Sequence, residues 1–299
     1  MFDQMKIFIT GGSGLIGQYL NSELSKKHNI LTQYNINKGN CGNYLNLQSE
    51  ITDYKKIENV FAEFKPDCVI HSAAISNPEK ADALEPSAVY EINVNATLKL
   101  AELCRKYGAK LIYLSTDMVY AGYRGTLLKE DAKLIPISLY AETKLMGEIK
   151  IKETFDNYLI LRTALQFGFG MNHSRNNFHN SFIALKNQEP VKLFADQFRS
   201  PLSILESARI IGELAEKNIR KEIVNFGGSE KLNRYEMIEI LCEEAGLDKN
   251  LLVKINMNDS DLRYKVADVS MNIEKLNSLG IRVKSYRDSV KEILSEVNI

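Results

Sequence analysis

Tyr140 and Lys144 stand four residues apart in "LYAETKL". On a helix that spacing puts both side chains on one face. An ammonium beside a phenol favours the ionised phenol and lowers a pKa that starts near ~10. Lowering it by about three units takes roughly 4 kcal/mol of differential stabilisation. Upstream, the apolar run "KLIYLST" ends at Thr116, followed by Asp117. It reads as a strand, and the C-terminal ends of strands in open α/β sheets are where ligands bind. Thr116 could there hydrogen-bond a substrate carbonyl.

A second group of residues has the spacing of a phosphate cradle. "GGSGLIG" follows the apolar run "MKIFIT". Gly12, Gly14 and Gly17 fit GxGxxG, and Gly11, Gly14 and Gly17 fit GxxGxxG. In such a turn one glycine permits the tight bend, one admits the pyrophosphate and one lets strand and helix pack closely. The N–H groups at the start of the following helix then face the phosphates. The acidic residue that usually binds the adenosine ribose some 20 residues on is missing: "LTQYNINK", Leu31 to Lys38, contains no Asp or Glu. An acid there would repel a 2′-phosphate, whereas Asn35 and Lys38 tolerate or attract one. The expected cofactor is therefore NADP(H), with NAD(H) second.

Short apolar runs alternate with helical patterns around these motifs. "KIFIT" precedes an amphipathic stretch from Leu15 to Lys27, then come "NILTQY", a segment from Tyr54 to Phe64, and "DCVIHSAA". A helix pattern from Pro86 to Tyr107 leads into "KLIYLST", and another from about Ser138 to Phe155 leads into "YLILRT". This rhythm predicts an α/β fold with a doubly wound parallel Rossmann sheet. Residues 1–165 are expected to form the dinucleotide-binding domain, joined by a returning strand near 221–227. Residues 166–299 are expected to be mainly a smaller substrate-binding region, entered through the irregular "LQFGFGMNHSRNNFHN". Helices are predicted at about Arg234 to Ala245, Ser270 to Leu279 and Tyr286 to Val297.

Of 299 residues, 44% are hydrophobic and 25% charged, and basic and acidic residues balance at 38 each. No charge footprint favours nucleic acid or an anionic membrane. No apolar run reaches the ~18 residues of a membrane span. Four scattered cysteines without a CxxC or a secretory leader point to reduced thiols and a cytoplasmic location. The four histidines lack zinc-ligand spacing, so no metal site is expected.

Taken together, "GGSGLIG", "VIHSAA", "INVNAT", "LSTDMVYAG", "YAETK" and "ILRT" resemble the extended short-chain dehydrogenase/reductase family. "FADQFRSP" and "LRYKVADVSMNIEKLNSLGI" resemble its dTDP-4-dehydrorhamnose reductase-like branch. The resemblance implies that Tyr140 gives a proton to a carbonyl, that Lys144 holds the nicotinamide ribose and tunes Tyr140, and that Thr116 polarises the carbonyl. It implies pyrophosphate binding by Gly11, Ser13, Gly14, Leu15 and Ile16, and adenine contact by Glu50 and Ile51. Asn35 would face the cofactor, and Ala73 and Ala74 would line its cleft. His71 and Asn93 are expected to support structure. Thr116, Asp117, Leu165, Asn177 and Arg199 are expected at the substrate.

The reaction so implied is NAD(P)H-dependent reduction of a nucleotide-linked 4-keto-6-deoxy sugar, in a chain that could form a homodimer. Two departures bear on the substrate: Leu165 stands where the branch has tryptophan, and Arg199 and Leu202 replace the glycine and threonine of DQxGxPT. Dehydratases of the family carry Thr-Asp-Glu, while this chain has Thr116, Asp117 and Met118. The alternatives are a nucleotide-sugar epimerase and a non-catalytic NADP-binding regulatory subunit, like that of methionine adenosyltransferase, which resembles the same branch. The polar region from about Leu165 to Pro201, with Asn172, Arg175, Asn176, Asn177 and Arg199, suits a sugar and its diphosphate.

Overall fold

The computed structural model describes residues 4–123 and 125–296. Seven strands build its main sheet: β1 (Lys6–Thr10), β2 (Asn29–Tyr34), β3 (Leu45–Gln48), β4 (Cys68–His71), β5 (Lys110–Thr116), β6 (Tyr158–Thr163) and β7 (Glu222–Phe226). All are parallel, in the order β7-β6-β5-β4-β1-β2-β3. The winding reverses between β1 and β4, which opens a crevice at their C-terminal ends. The longer helices are α1 (Leu15–Leu24), α2 (Tyr54–Glu63), α3 (Ala96–Tyr107), α4 (Leu139–Thr154), α5 (Asn177–Lys186), α6 (Ile204–Glu216), α7 (Arg234–Ala245) and α8 (Tyr286–Glu296).

Alternation along the strands makes two cores. Ile7 and Ile9 of β1 point to one face, with Leu20, Leu24, Ile210 and Leu214 from α1 and α6. Phe8 points to the other, with Phe61, Leu100 and Ile160. Side chains of period two on a strand require this split. As expected, the strand near residue 225 returns to the sheet, pairing Val224 with Leu161. A separate cluster, including Phe167, Phe178, Phe182, Ile238, Leu241, Val290 and Ile293, unites α5, α7 and α8. Around it lie three short strand pairs: Gln166–Phe167 with Leu202–Ser203, Phe198–Arg199 with Leu232–Asn233, and Val191–Phe194 with Leu252–Ile255.

Three elements differ from the sequence reading. β3 was not anticipated; it is a four-residue edge strand, half-buried to exposed, whose formation depends on pairing with β2. The helix expected from Pro86 to Tyr107 contains a π-helical turn at Glu91–Asn95. There Asn93 turns inward: its Oδ1 accepts from Ile75 N (2.8 Å) and its Nδ2 donates to Thr143 Oγ1 (3.0 Å). The helix expected from Ser270 to Leu279 shrinks to Glu274–Ser278. Its first residues are held extended instead, with Met271 N donating to Ser200 Oγ (3.0 Å) and Asn272 N to Leu128 O (2.9 Å).

Candidate active site

The glycine loop joins β1 to α1. Gly11 has φ +67°, and a Cβ there would lie 2.7 Å from Ala73 N. A Cβ on Gly17 would lie 2.2 Å from Gly11 O, so only glycine lets α1 pack on the loop. Gly14 is the N-cap of α1 and supplies no side-chain cap, and the first turn holds no acidic residue. Its leading N–H groups are left for an anion. Sequence reading missed Gln33, which ties this loop to the sheet. Gln33 Oε1 accepts from Gly11 N (2.9 Å), its carbonyl from Gly12 N (2.7 Å), and its Nε2 donates to Ser49 O (2.6 Å).

A cleft of about 1100 Å³ runs from this loop across the ends of β1, β4 and β5. Gly11, Ser13, Gly14, Leu15, Ile16, Asn35, Glu50, Ile51, Ala73 and Ala74 line it, and so do Thr116, Asp117, Tyr140, Leu165, Asn177 and Arg199. Lys144 lines an adjoining cavity of about 120 Å³, whose wall shares Ile16, Ser72, Ala74 and Tyr140 with the cleft. The structure thus brings every expected site residue to one connected space. A bare loop, a free helix start and a long cleft suit a dinucleotide.

Ser138 caps α4 by accepting from Ala141 N (3.2 Å), which starts the helix two residues before Tyr140. Thr116 ends β5 and caps the next turn, accepting from Met118 N (3.2 Å). Below them Glu148 and Arg162, each with a side chain 2% exposed, pair at 2.8 Å. Ser115 Oγ donates to Glu148 Oε1 (2.5 Å) and Arg162 donates to Tyr120 Oη (2.7 Å). This network locks β5, β6 and α4 together, and removing one member of such a buried pair costs about 3–5 kcal/mol.

The electrostatics of the pair differ from the expectation of a depressed phenol. Burial pushes the Tyr140 phenol up to about 12; Asp117 adds to the rise and the Thr116 hydroxyl opposes it. Burial brings the Lys144 ammonium down to about 7, with Glu148 resisting. Lys144 Nζ sits 4.0 Å from the centroid of the Tyr113 ring, a cation–π position. Desolvation therefore outweighs the Thr116 hydrogen bond at Tyr140, and the phenol keeps its proton. His71 is fully enclosed, its Nδ1 2.7 Å from Thr10 Oγ1 and its Nε2 2.9 Å from Thr97 Oγ1. Burial, then Lys144, pulls it down to about 3, so it stays neutral.

The far wall carries charge. Burial raises Asp117 to about 6, against the pull of Arg199, Thr116 and Arg234. Arg199 is 5% exposed, its Nη1 donating to Phe198 O (2.7 Å) and Val266 O (3.2 Å). Arg234, which sequence reading took only as a helix start, is half-buried and lines the cleft. Burial and then Arg199 lower it to about 10. The Asn233–Glu236 capping box makes that helix start legible, but not its direction into the cleft. Asn172 and Asn176 serve structure: Asn172 donates to Gln18 Oε1 (2.6 Å), and Asn176 caps α5 through His179 N (3.0 Å). At the mouth, Asp82 accepts from Tyr264 Oη (2.7 Å) and pairs with Arg263 (3.1 Å). Among the described residues there is no metal-ligating cluster, and no helix is long and apolar enough to cross a membrane.

Fold and cleft together define a Rossmann-type protein of the short-chain dehydrogenase/reductase kind. The chain belongs to the RmlD substrate binding domain family, whose model matches residues 5–299. It is 28% identical over 258 residues to dTDP-4-dehydrorhamnose reductase from Aggregatibacter actinomycetemcomitans, covering 82% of this chain and 86% of that one. It is 25% identical over 299 residues to methionine adenosyltransferase 2 subunit beta from Mus musculus, covering 97% of this chain and 87% of that one. A crystal structure of dTDP-4-dehydrorhamnose reductase from Bacillus anthracis in complex with NADP superposes with TM-score 0.86 at 22% identity, covering 99% of this chain and 100% of that one.

Proposed function

We propose that the protein reduces a nucleotide-linked 4-keto-6-deoxy sugar with NAD(P)H. The observation that carries this reading is the placement of Thr116 and Tyr140 on one cleft that begins at the glycine loop and ends at Arg199 and Arg234. The bound nicotinamide cofactor supplies hydride. Gly11, Ser13, Gly14, Leu15 and Ile16 hold its pyrophosphate, Ala73 and Ala74 flank it, and Asn35, Glu50 and Ile51 face its adenosine. NADPH is favoured over NADH because no acid stands between Leu31 and Lys38 to repel a 2′-phosphate.

Tyr140, protonated because burial holds its phenol near 12, donates to the carbonyl oxygen as negative charge grows there. Thr116 donates a second hydrogen bond to the same oxygen. Lys144 steadies the phenolate left behind; its charge is available because its pKa, near 7, lies in the working range. Arg199 and Arg234, opposed only in part by Asp117, offer a net positive wall to the diphosphate. Leu165 and Asn177 face the sugar. Residues 1–165 with the returning strand make the cofactor domain, and residues 166–299 mainly make the substrate region. The four cysteines, all free and buried, suit a cytoplasmic enzyme, and a homodimer is compatible with a cleft that one chain lines alone.

A panel of dTDP-, GDP-, UDP- and CDP-linked keto-sugars, followed by NADPH oxidation, tests this. Turnover with at least one is expected, and none with the whole panel would sink it. The second reading is a non-catalytic regulatory subunit, favoured by the match to methionine adenosyltransferase 2 subunit beta over 97% of the chain. Thr116, Tyr140 and Lys144 weigh against it. An epimerase would use the same tyrosine, and would interconvert a sugar without net NADPH consumption.

A further inference from the structure

Beyond the short strand Gln166–Phe167, the chain enters the substrate half, yet its next residues are fastened to the cofactor half. Tyr19 Oη donates to Phe169 O (2.5 Å), and Gln18 Nε2 donates to Met171 O (3.1 Å). Ser174 Oγ donates to Ser13 O (3.3 Å), within the glycine loop itself. Gln18 is fully buried, so the anchor is rigid. Gly170 makes the return bend: a Cβ there would lie 1.7 Å from Ser174 O. Arg175 comes next, its Cα only ~3.8 Å beyond that of Ser174. It lines the same cleft as Ser13 and Gly14, is exposed, and makes no ion pair among the described residues.

We propose that Arg175 binds the pyrophosphate of the cofactor. This rests on the reading that the glycine loop holds NAD(P). Arg175 follows Ser174, whose hydroxyl is tied to Ser13 O, and it lines the cleft onto which α1 presents its N–H groups; Arg–phosphate contact there would add charge and a planar pair of donors. The substrate diphosphate has Arg199 and Arg234 beside Asp117 at the far wall. Arg175 also leads directly into Asn176 and Asn177 at the start of α5.

Calorimetry on the full chain with three probes tests this: NADPH, adenosine 2′-monophosphate, which lacks the pyrophosphate, and dTDP. Arg175→Gln is expected to weaken NADPH about tenfold, as loss of a charge-assisted bond does, and to leave the other two within about twofold. Arg175→Lys should recover part of the loss. Unchanged NADPH affinity in Arg175→Gln overturns the inference, as does selective loss of dTDP, which would give Arg175 to the substrate. Equal loss of all three probes, with a lowered melting temperature, overturns it in favour of a structural role. If the unaltered protein binds neither NADPH nor NADH, the cofactor reading falls together with this inference. Binding that Arg175→Gln leaves intact removes the inference alone.

Discussion

The two ends of the cleft are built from different materials. At the cofactor end the chain uses its backbone: a bend at Gly11, close packing at Gly17 and a helix start without a side-chain cap. At the substrate end it uses side chains brought from distant segments, with Asp117 after β5, Arg199 from a two-residue strand and Arg234 from the start of α7. A backbone cradle tolerates little change. A wall of side chains can be altered residue by residue while the fold persists. On the proposed reading the glycine loop accounts for the cofactor, and the side chains of the far wall decide what is reduced.

That contrast can be broken most severely where the two ends meet. Tyr140→Phe removes the proton donor and keeps the shape of the wall. Turnover should fall by about 10²–10⁴-fold, the usual contribution of general acid catalysis, with NADPH affinity measured by fluorescence nearly unchanged. Near-normal turnover would place the donor elsewhere. Next in size is Arg234→Gln, which strips one charge from the far wall alone. Binding of a dTDP-hexose should weaken about tenfold or more, given ~1.5–3 kcal/mol for a hydrogen bond to a charged group. NADPH affinity should hold, and equal losses for both ligands would erase the distinction between the ends.

A smaller effect is expected at the adenosine. Wild-type protein should bind NADPH more tightly than NADH, and Asn35→Asp should move the preference toward NADH by repelling the 2′-phosphate. Tenfold tighter NADH binding by the wild type would contradict this. The smallest effect is one of pH. Asp117 titrates near 6 rather than 3.8, so lowering the pH from about 7 to 5 neutralises it and leaves Arg199 and Arg234 less opposed. A dTDP-hexose, whose diphosphate stays fully charged over that range, should bind a few-fold tighter at the lower pH. Asp117→Asn should flatten the profile, and an unchanged slope in that variant would assign the titration to another group.

The same contrast sets how much the sequence discloses. β1, α1, β5, α4 and β6 are legible because each repeats one period over five residues or more and carries its own cap or turn signal. Ser138 and the glycines are examples. The site residues they carry follow by local spacing, as Tyr140 and Lys144 do. β3 is hidden because four residues at an edge hold no period of their own. Gln33 is hidden because its role depends on Ser49 and Gly11 meeting in space. The protonated phenol is hidden for a related reason: spacing shows that a lysine is near, but only burial decides that desolvation wins. Arg234 can be read as the start of a helix, and its approach to Arg199 only from the tertiary fold.

Calorimetry of dTDP binding to the protein saturated with NADP+ tests the central claim, a single cleft that takes both a dinucleotide and a nucleotide sugar. One dTDP site per chain is expected, weakened by Arg234→Gln and unaffected by Tyr140→Phe. If neither dTDP nor any other nucleoside diphosphate binds, with or without the cofactor, the nucleotide-sugar assignment is wrong and the regulatory-subunit reading takes its place.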